Sequence, residues 1–404
     1  MMELQTPEKA CPAPVSFQER FGSIIFLAIL FWLGFVCQFI FAPLMPTIEQ
    51  ELGISHSQAG SLFLIMSLGF ALSQLSSGII ASKLNHRGTL VASALAVGIV
   101  MLVFSLTTTL WTVRITMFLL GAAAAPHMPS ALASITAMVN REDWGKALSV
   151  HQTAPSLAMV LAPLISILLL GLFSWRMSLA SLGILAVIIA FAFIRFGNAG
   201  EFPGDPPRPA VVKAIMGVRS YWILIILFAL SMGASSGIYT MLPLYLVTEC
   251  GLGNDVANTI LSTSRISGLF MAFVGGWLAD KLGEKRVIAA TLILVGISTI
   301  LMGKLSGTWL IIIIFVQAAL TACYFPAGFA ALSRIVDPNI RSVATSLTTP
   351  PAFLIGNGVL PAFIGYMGNN YSFSMGITIA GYMMIIGSVL VIFLKLLENT
   401  EEGC

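Results

Sequence analysis

Twelve apolar runs, each long enough to cross about 30 Å of hydrocarbon, follow one another along this chain and leave little room for any other fold. They lie near 22–46, 58–81, 89–108, 111–138, 146–170, 176–195, 220–247, 256–279, 287–304, 309–333, 345–367 and 373–396. Lipid offers no water to a peptide group, so each run must satisfy its own N–H and C=O groups as an α-helix. With 57% apolar and only 9% charged residues in 404, a soluble domain is excluded. The expected fold class is an all-α membrane protein with twelve transmembrane helices.

Charge sets the expected topology. With both termini in the cytoplasm, 16 of the 20 Lys and Arg fall on the inner side, in the tails and the loops at 82–88, 139–146, 195–219, 280–286 and 334–341. Arg114, Arg176, Arg265 and Lys304 are the exceptions, and Arg114, just after Trp111, reads as an interfacial cation. The basic residues are thereby used for topology, so the net charge of +3 does not point to nucleic acid. Glu3, Glu8, Pro12 and Pro14 precede the first span and no small-residue cleavage site follows, so the N-terminus is expected to stay attached. Cys11, Cys37, Cys250, Cys323 and Cys404 are odd in number and scattered, which indicates neither a disulfide framework nor a metal site. No cofactor is expected.

Sliding the chain against itself by 198 residues exposes an internal repeat. Gly78-Ile-Ile-Ala-Ser-Lys-Leu84 falls on Gly276-Trp-Leu-Ala-Asp-Lys-Leu282, and Glu51-Leu-Gly53 falls on Glu249-Cys-Gly251. Phe173-Ser-Trp-Arg-Met-Ser178 falls on Tyr371-Ser-Phe-Ser-Met-Gly376. One residue out of step, Phe118–Pro129 meets Phe315–Pro326, which puts His127 opposite Tyr324. Two pseudo-symmetric six-helix halves are expected: residues 1–195, a Pro- and Gly-rich cytoplasmic linker at 196–219, and residues 220–404.

Twelve spans, a central loop and the signature Gly276, Asp280, Gly283, Lys285 and Arg286 after the eighth segment together resemble the major facilitator superfamily over nearly the whole chain. That resemblance implies alternating access and a gating role for these five residues, with the fifth helix as the partner of Asp280. A solvated turn of topogenic charge is the plainer reading of the same residues. The first-half copy departs from the pattern, with Ser82 for the acid, Asn85 for the second glycine and Gly88 for the last cation.

Arg265 stands in the uncharged stretch 257–279. Placing Arg at the centre of a membrane helix costs roughly 2.5–3.5 kcal/mol on insertion scales, so it is expected to face a polar cavity. Ser262, Ser264 and Ser267 offer hydroxyls around it, and Ser67 takes its place in the first half. The twelve runs hold no Asp or Glu; Glu49, Glu51, Glu249 and Asp255 fall near their outer ends. A pathway without carboxylates and with a lone Arg favours an anion over a cationic drug or Na⁺. A structural Arg bonded to backbone carbonyls is the alternative.

Arg265 is similar in place to the substrate arginine of monocarboxylate transporters and the oxalate/formate exchanger. Their partner groups are missing: Leu261 stands where the first family has an acid, and the first span lacks Lys. A single fixed cation suits one negative charge better than two. His127 and His151 are the groups in the spans that titrate near neutral pH; both are candidates for a coupled proton or for plain packing, and His151, flanked by Gln152 and Thr153, is also a candidate substrate-binding residue. Gln38, Tyr239, Tyr324, Gln317 and Asn357 complete the candidate pathway, at positions the resemblance implies. The prolines Pro155 and Pro163 come without the glycines of the family's antiporter motif, which weighs against drug–proton antiport.

The reading that follows is a monomeric, multi-pass secondary transporter of the inner (plasma) membrane that moves a small anionic solute, with a symporter among the coupling modes. Its alternative is efflux of hydrophobic or neutral compounds, for which 26 Phe and 19 Met would supply a pliable wall. A sensor that keeps the fold without transport is a third class. Enzyme chemistry lacks a nucleophile beside a base, a phosphate-cradling loop or a metal cluster.

Overall fold

Each apolar run is a helix in the computed structural model, which describes residues 15–205, 209–337 and 340–396. Linker residues 206–208, loop residues 338–339, Cys11 and Cys404 lie outside the described residues. The spans are α1 (Phe17–Leu52), α2 (56–84), α3 (86–105), α4 (Leu110–Met138), α5 (Trp144–Leu172) and α6 (Trp175–Phe196) in one half. The other half holds α7 (Arg219–Glu249), α8 (Asn254–Leu282), α9 (Glu284–Met302), α10 (Gly307–Ser333), α11 (341–370) and α12 (Phe373–Phe393). Apart from one bridge between Val15 and Val139, no β pairing occurs among the described residues.

Eleven of the spans are long and apolar enough to cross a membrane on those grounds alone; α8, with Asp255, Asn258, Ser262 and Arg265 in its first half, is not. Such a helix is tolerated in lipid only where it faces protein or water. The face of the molecule with the 82–88, 139–146 and 280–286 loops is called the linker face below, and the opposite one the far face.

The two halves are built alike where the sequence repeat predicts it. Asn85 (φ 57°) and Gly283 (φ 84°), 198 residues apart, make the same positive-φ turn between successive helices. Asn can replace Gly there because its side chain bonds locally: Asn85 Oδ1 accepts the Gly88 N–H at 2.7 Å. At the far face, Glu51 accepts from Trp175 Nε1 at 2.5 Å and pairs with Arg176 at the start of α6. Its equivalent Glu249 accepts from the Phe373 N–H at 2.6 Å and the Ser374 hydroxyl at 2.6 Å, capping α12. Matched motifs thus touch matched motifs.

Close helix crossings follow the same symmetry. A Cβ added to Gly98 would stand 2.9 Å from the Gly183 carbonyl oxygen, and one added to Gly296 would stand 2.8 Å from the Gly381 oxygen. Only glycine lets α3 meet α6, and α9 meet α12, at that distance.

The halves are sealed at the far face and part at the linker face. One apolar core joins Leu33–Ile48 of α1 to residues of α7 and α8, including Ile238, Leu242 and Leu261. Nearer the linker face each half has a core of its own. Phe70 of α2 stacks on Phe353 of α11 at 4.2 Å between ring centres, near where the shared core ends. Beyond it a cavity of about 480 Å³ opens towards the linker face, lined by Gln74, Ser77, Ser130 and Asp205, with Val343 and Ser346 across it. Residues 200–204 return along its wall, where the Arg87 and His86 N–H groups donate to Gly200 and Phe202 and Arg87 pairs with Glu201.

Candidate functional site

Asn258, Ser262 and Arg265 recur every three or four residues on α8, so they share one face, and that face turns to the opposite half. The Asn258 amide donates to the Pro43 carbonyl at 3.5 Å, and the Ser262 hydroxyl to the Val160 carbonyl of α5 at 2.6 Å. Arg265, 7% exposed, places its guanidinium 5.1 Å from the centre of the Tyr239 ring. It makes no ion pair or hydrogen bond among the described residues, and its Nε is buried without a partner. Carboxylates pair elsewhere, at helix ends: Glu49 with His56, Glu51 with Arg176, Glu201 with Arg87, Asp143 with Lys146 and Glu284 with Arg334.

Two sequence expectations change here. The serines near Arg265 spend their hydrogens on backbone: Ser264 bonds Leu261 O and Ser267 bonds Ser264 O, as hydroxyls in helices commonly do. They are acceptors at most towards a ligand. Glu49, Glu51, Glu249 and Asp255, expected outside the spans, lie within the far-face ends of α1, α7 and α8, and of these Glu49 is buried and paired with His56 at the start of α2.

Tyr239 ties this face to the other half. Pro163 has no N–H to give to the Met159 carbonyl one turn before it, and the Tyr239 hydroxyl donates to that oxygen at 3.0 Å. Phe39 of α1 packs edge-on against the same ring at 5.6 Å.

His127 and His151 come together. Their rings lie 6.0 Å apart and 4° from parallel, and each stacks on Phe31, at 5.2 and 4.4 Å. Both nitrogens of His151 are buried without a hydrogen-bond partner among the described residues, and the neighbouring Gln152 side chain acts on its ring. His127 Nε2 is likewise unpartnered, and His127 lines an internal cavity of about 30 Å³ with Gln38 and Phe70. Gln38 bonds Gly34 O of its own helix and leaves its carbonyl oxygen free beside that cavity. Roughly 10–15 Å³ suffices for one water, so the space accommodates a bridging solvent molecule.

Gln317 and Asn357 meet at α7 rather than at Arg265. Residues Gly233–Gly237 form a π turn and Leu354–Val359 of α11 form another. Gln317 donates to Ala234 O at 2.8 Å, and Ser236 donates to Asn357 Oδ1 at 2.6 Å. A π turn shifts the hydrogen-bond register, often at functional positions, and composition does not reveal it. Tyr324 is fully buried in the linker-face core of its half against Phe228, apart from this group, with its hydroxyl unpartnered.

Gly276 sits where α8 nears Pro326 of α10. Asp280, Lys285 and Arg286 flank the Gly283 turn, all exposed, and Asp280 has no partner among the described residues. The Phe31 stack, the carbonyl freed by Pro163 and the glycine crossings were missed in the sequence; Pro163 and the 198-residue spacing of Gly98 and Gly296 were their available signals.

Comparison with known proteins places this architecture. The chain is 23% identical over 335 residues to the membrane sensor protein UhpC of Salmonella typhimurium, covering 75% of this chain and 74% of that protein. It is 26% identical over 313 residues to the multidrug resistance protein MdtG of Salmonella paratyphi C, covering 73% and 77%. A bacterial homologue of the human lysosomal transporter Spinster, solved inward-facing and occupied, superposes with a TM-score of 0.83 at 15% identity over 93% of this chain and 96% of that one. A D-xylose–proton symporter superposes with a TM-score of 0.76 at 16% identity over 94% and 99%. The family model of the Major Facilitator Superfamily matches residues 27–271 and 251–403. With its helical architecture and almost its whole length matched, the chain is a multi-pass membrane transporter of the Major Facilitator Superfamily, not an enzyme.

Proposed function

We propose that this transporter moves a small organic anion, a monocarboxylate, by alternating access, with the linker face in the cytoplasm. The observation that carries the reading is Arg265: a buried cation without an anionic partner among the described residues, at the seam between the halves. A charge in low dielectric without a counter-ion is costly, and an anion arriving there supplies one. The Tyr239 ring stabilises the guanidinium meanwhile, within the roughly 6 Å over which a cation and a ring attract. One unpaired cation supports a single negative charge on the solute, since a second would stay uncompensated.

His151 and His127 are the proposed proton carriers, being secluded and close together. Gln38, at the cavity beside His127, is assigned to the same path. Gln317, Asn357 and Tyr324 are assigned to shaping the second half of the pathway. Gly276, Asp280, Gly283, Lys285 and Arg286 form the linker-face gate: Asp280, free in the present state, takes up the N–H groups of a helix start when that face closes.

Efflux of hydrophobic or neutral compounds is the competing reading, supported by the multidrug resistance relative. The test is thermal stability of purified wild type and Arg265→Gln with lactate, benzoate, succinate, phosphate, glucose and tetraphenylphosphonium. A bound ligand raises the apparent stability of the folded state. Protection of the wild type alone by lactate or benzoate is expected. Equal protection of both proteins by glucose or tetraphenylphosphonium would make Arg265 structural and move the reading to efflux. Uptake of the protecting solute into proteoliposomes separates a transporter from a sensor.

A further inference from the structure

Tyr239 is fully buried and touches three helices beyond its own. Its ring meets the Arg265 guanidinium of α8 and the edge of Phe39 of α1, and its hydroxyl bonds Met159 O of α5. The last bond crosses between the halves in the stretch that seals the far face, where the shared core lies. It exists because Pro163 leaves that carbonyl without its helical donor. One side chain therefore contacts both the Arg265 guanidinium and the closed seam.

An anion on Arg265 competes with the ring for the guanidinium, since the negative face of an aromatic ring is a much weaker partner than a carboxylate. Once the guanidinium turns to the anion, the ring loses the contact that orients it. The hydroxyl then loses its alignment with Met159 O. Ser262, bonded to Val160 O on the same α5 segment, is a second bond across the seam; it has no contact with the guanidinium and parts only when the halves do.

We propose that Tyr239 is the positioning residue that couples occupancy of Arg265 to opening of the far face, its ring sensing the guanidinium and its hydroxyl latching the two halves. This rests on the reading of Arg265 as an anion site. It assigns to the aromatic ring and to the hydroxyl separate jobs that substitution can divide.

The experiment uses full-length protein in proteoliposomes, with Asn258→Cys in a background lacking other cysteines as a reporter of access from the far face. Asn258 is buried on the seam beside Pro43, so its replacement thiol is labelled only when that face opens. Labelling rate and ligand affinity are measured with lactate, pyruvate and benzoate as probes, in reporter proteins otherwise unchanged or carrying Tyr239→Phe, Tyr239→Leu or Arg265→Gln.

Tyr239→Phe keeps the ring and drops the latch. It should bind the probe anion up to about fivefold more tightly than the unchanged reporter, since binding no longer breaks that bond, raise labelling without anion about fivefold, the worth of one hydrogen bond, and abolish the further rise that the anion produces. Tyr239→Leu should tighten anion binding further, because the ring no longer competes for the guanidinium. If the anion alters labelling equally in the unchanged reporter and Tyr239→Phe, the coupling role is overturned while the anion site stands. If none of the three probes binds the unchanged reporter, or Arg265→Gln binds them as well as the unchanged reporter, the anion reading falls and the coupling role with it.

Discussion

Alanine at Gly98 tests whether each half is held together by the close crossing of its paired glycines. A Cβ there would stand 2.9 Å from the Gly183 carbonyl oxygen, 3.0 Å from the Val187 nitrogen and 2.7 Å from a Val187 methyl. The methyl can rotate away, but the backbone atoms cannot. α3 and α6 must part by about 0.5 Å, enough to forfeit roughly a quarter of the dispersion energy of the atom pairs across the crossing. Overpacking of this kind costs about 1–3 kcal/mol. The control is Gly22→Ala in α1, where a new Cβ meets nothing within 4 Å. Both changes gain about the same helix propensity, up to about 1 kcal/mol, so the difference between the two variants isolates the clash. Gly296→Ala should lose as much as Gly98→Ala, since its Cβ would meet the Gly381 oxygen at 2.8 Å and the Ile385 nitrogen at 3.2 Å. Unfolding midpoints in mild detergent, read by tryptophan fluorescence, give the comparison. Gly98→Ala as stable as Gly22→Ala would refute the crossing argument, and a loss at Gly98 without one at Gly296 would refute the equivalence of the halves.

Glu249→Gln removes the charge from a cap that serves the Phe373 and Ser374 N–H groups and the Ser374 hydroxyl; a loss of about 1 kcal/mol is expected, as for other caps, and thermal unfolding measures it. Asp280→Asn should leave thermal stability within about 0.5 kcal/mol, since the side chain is exposed and has no partner among the described residues. The same variant should raise cysteine labelling of α5 from the linker face, and unchanged labelling would remove Asp280 from the gate. His151→Gln should flatten the pH dependence of solute uptake between about pH 5 and 8 while the solute still binds. A wild-type pH profile that survives in both His151→Gln and His127→Gln would dismiss both as proton carriers.

The spans and the repeat were legible because lipid imposes long apolar runs and because a structure used twice leaves motifs at a fixed spacing. Arg265 was legible for a simpler reason: no other cation stands so deep in an apolar run. Its surroundings were not. Ser264 and Ser267 look like ligand donors in a sequence, yet a helix presents each with a carbonyl of its own, and they bond there. Gln317 and Asn357 are candidates for the pathway, and what the sequence did not show is that the π turn of α7 takes one as donor and holds the other through Ser236. That turn depends on one extra residue in a helical register, which hydropathy cannot register. Tyr239 was a bare candidate until Pro163 was seen to leave a carbonyl for it across the seam.

The positions where the halves agree differ in kind from those where they diverge. Glu51 and Glu249 both anchor the start of the sixth helix of their half, Asn85 and Gly283 make the same turn, and Gly98 and Gly296 make the same crossing. All of these serve rigidity within a half, which rocking motion demands of both halves equally. At the centre the equivalence stops. Ser67 occupies the place of Arg265, and His127 that of Tyr324. The cation site stands in one half and the paired histidines in the other, with Phe31, Phe35, Phe39 and Tyr239 forming a run of ring contacts between them. A solute far smaller than the bundle has no need of two copies of its site. With the solute and proton roles proposed above, the two charges are separated across the seam, each half responds to a different ligand, and only motion between the halves relates the two. On this arrangement, loss of Tyr239's latch uncouples the two sites without destroying either, whereas loss of Arg265 abolishes one and leaves the histidine pair intact.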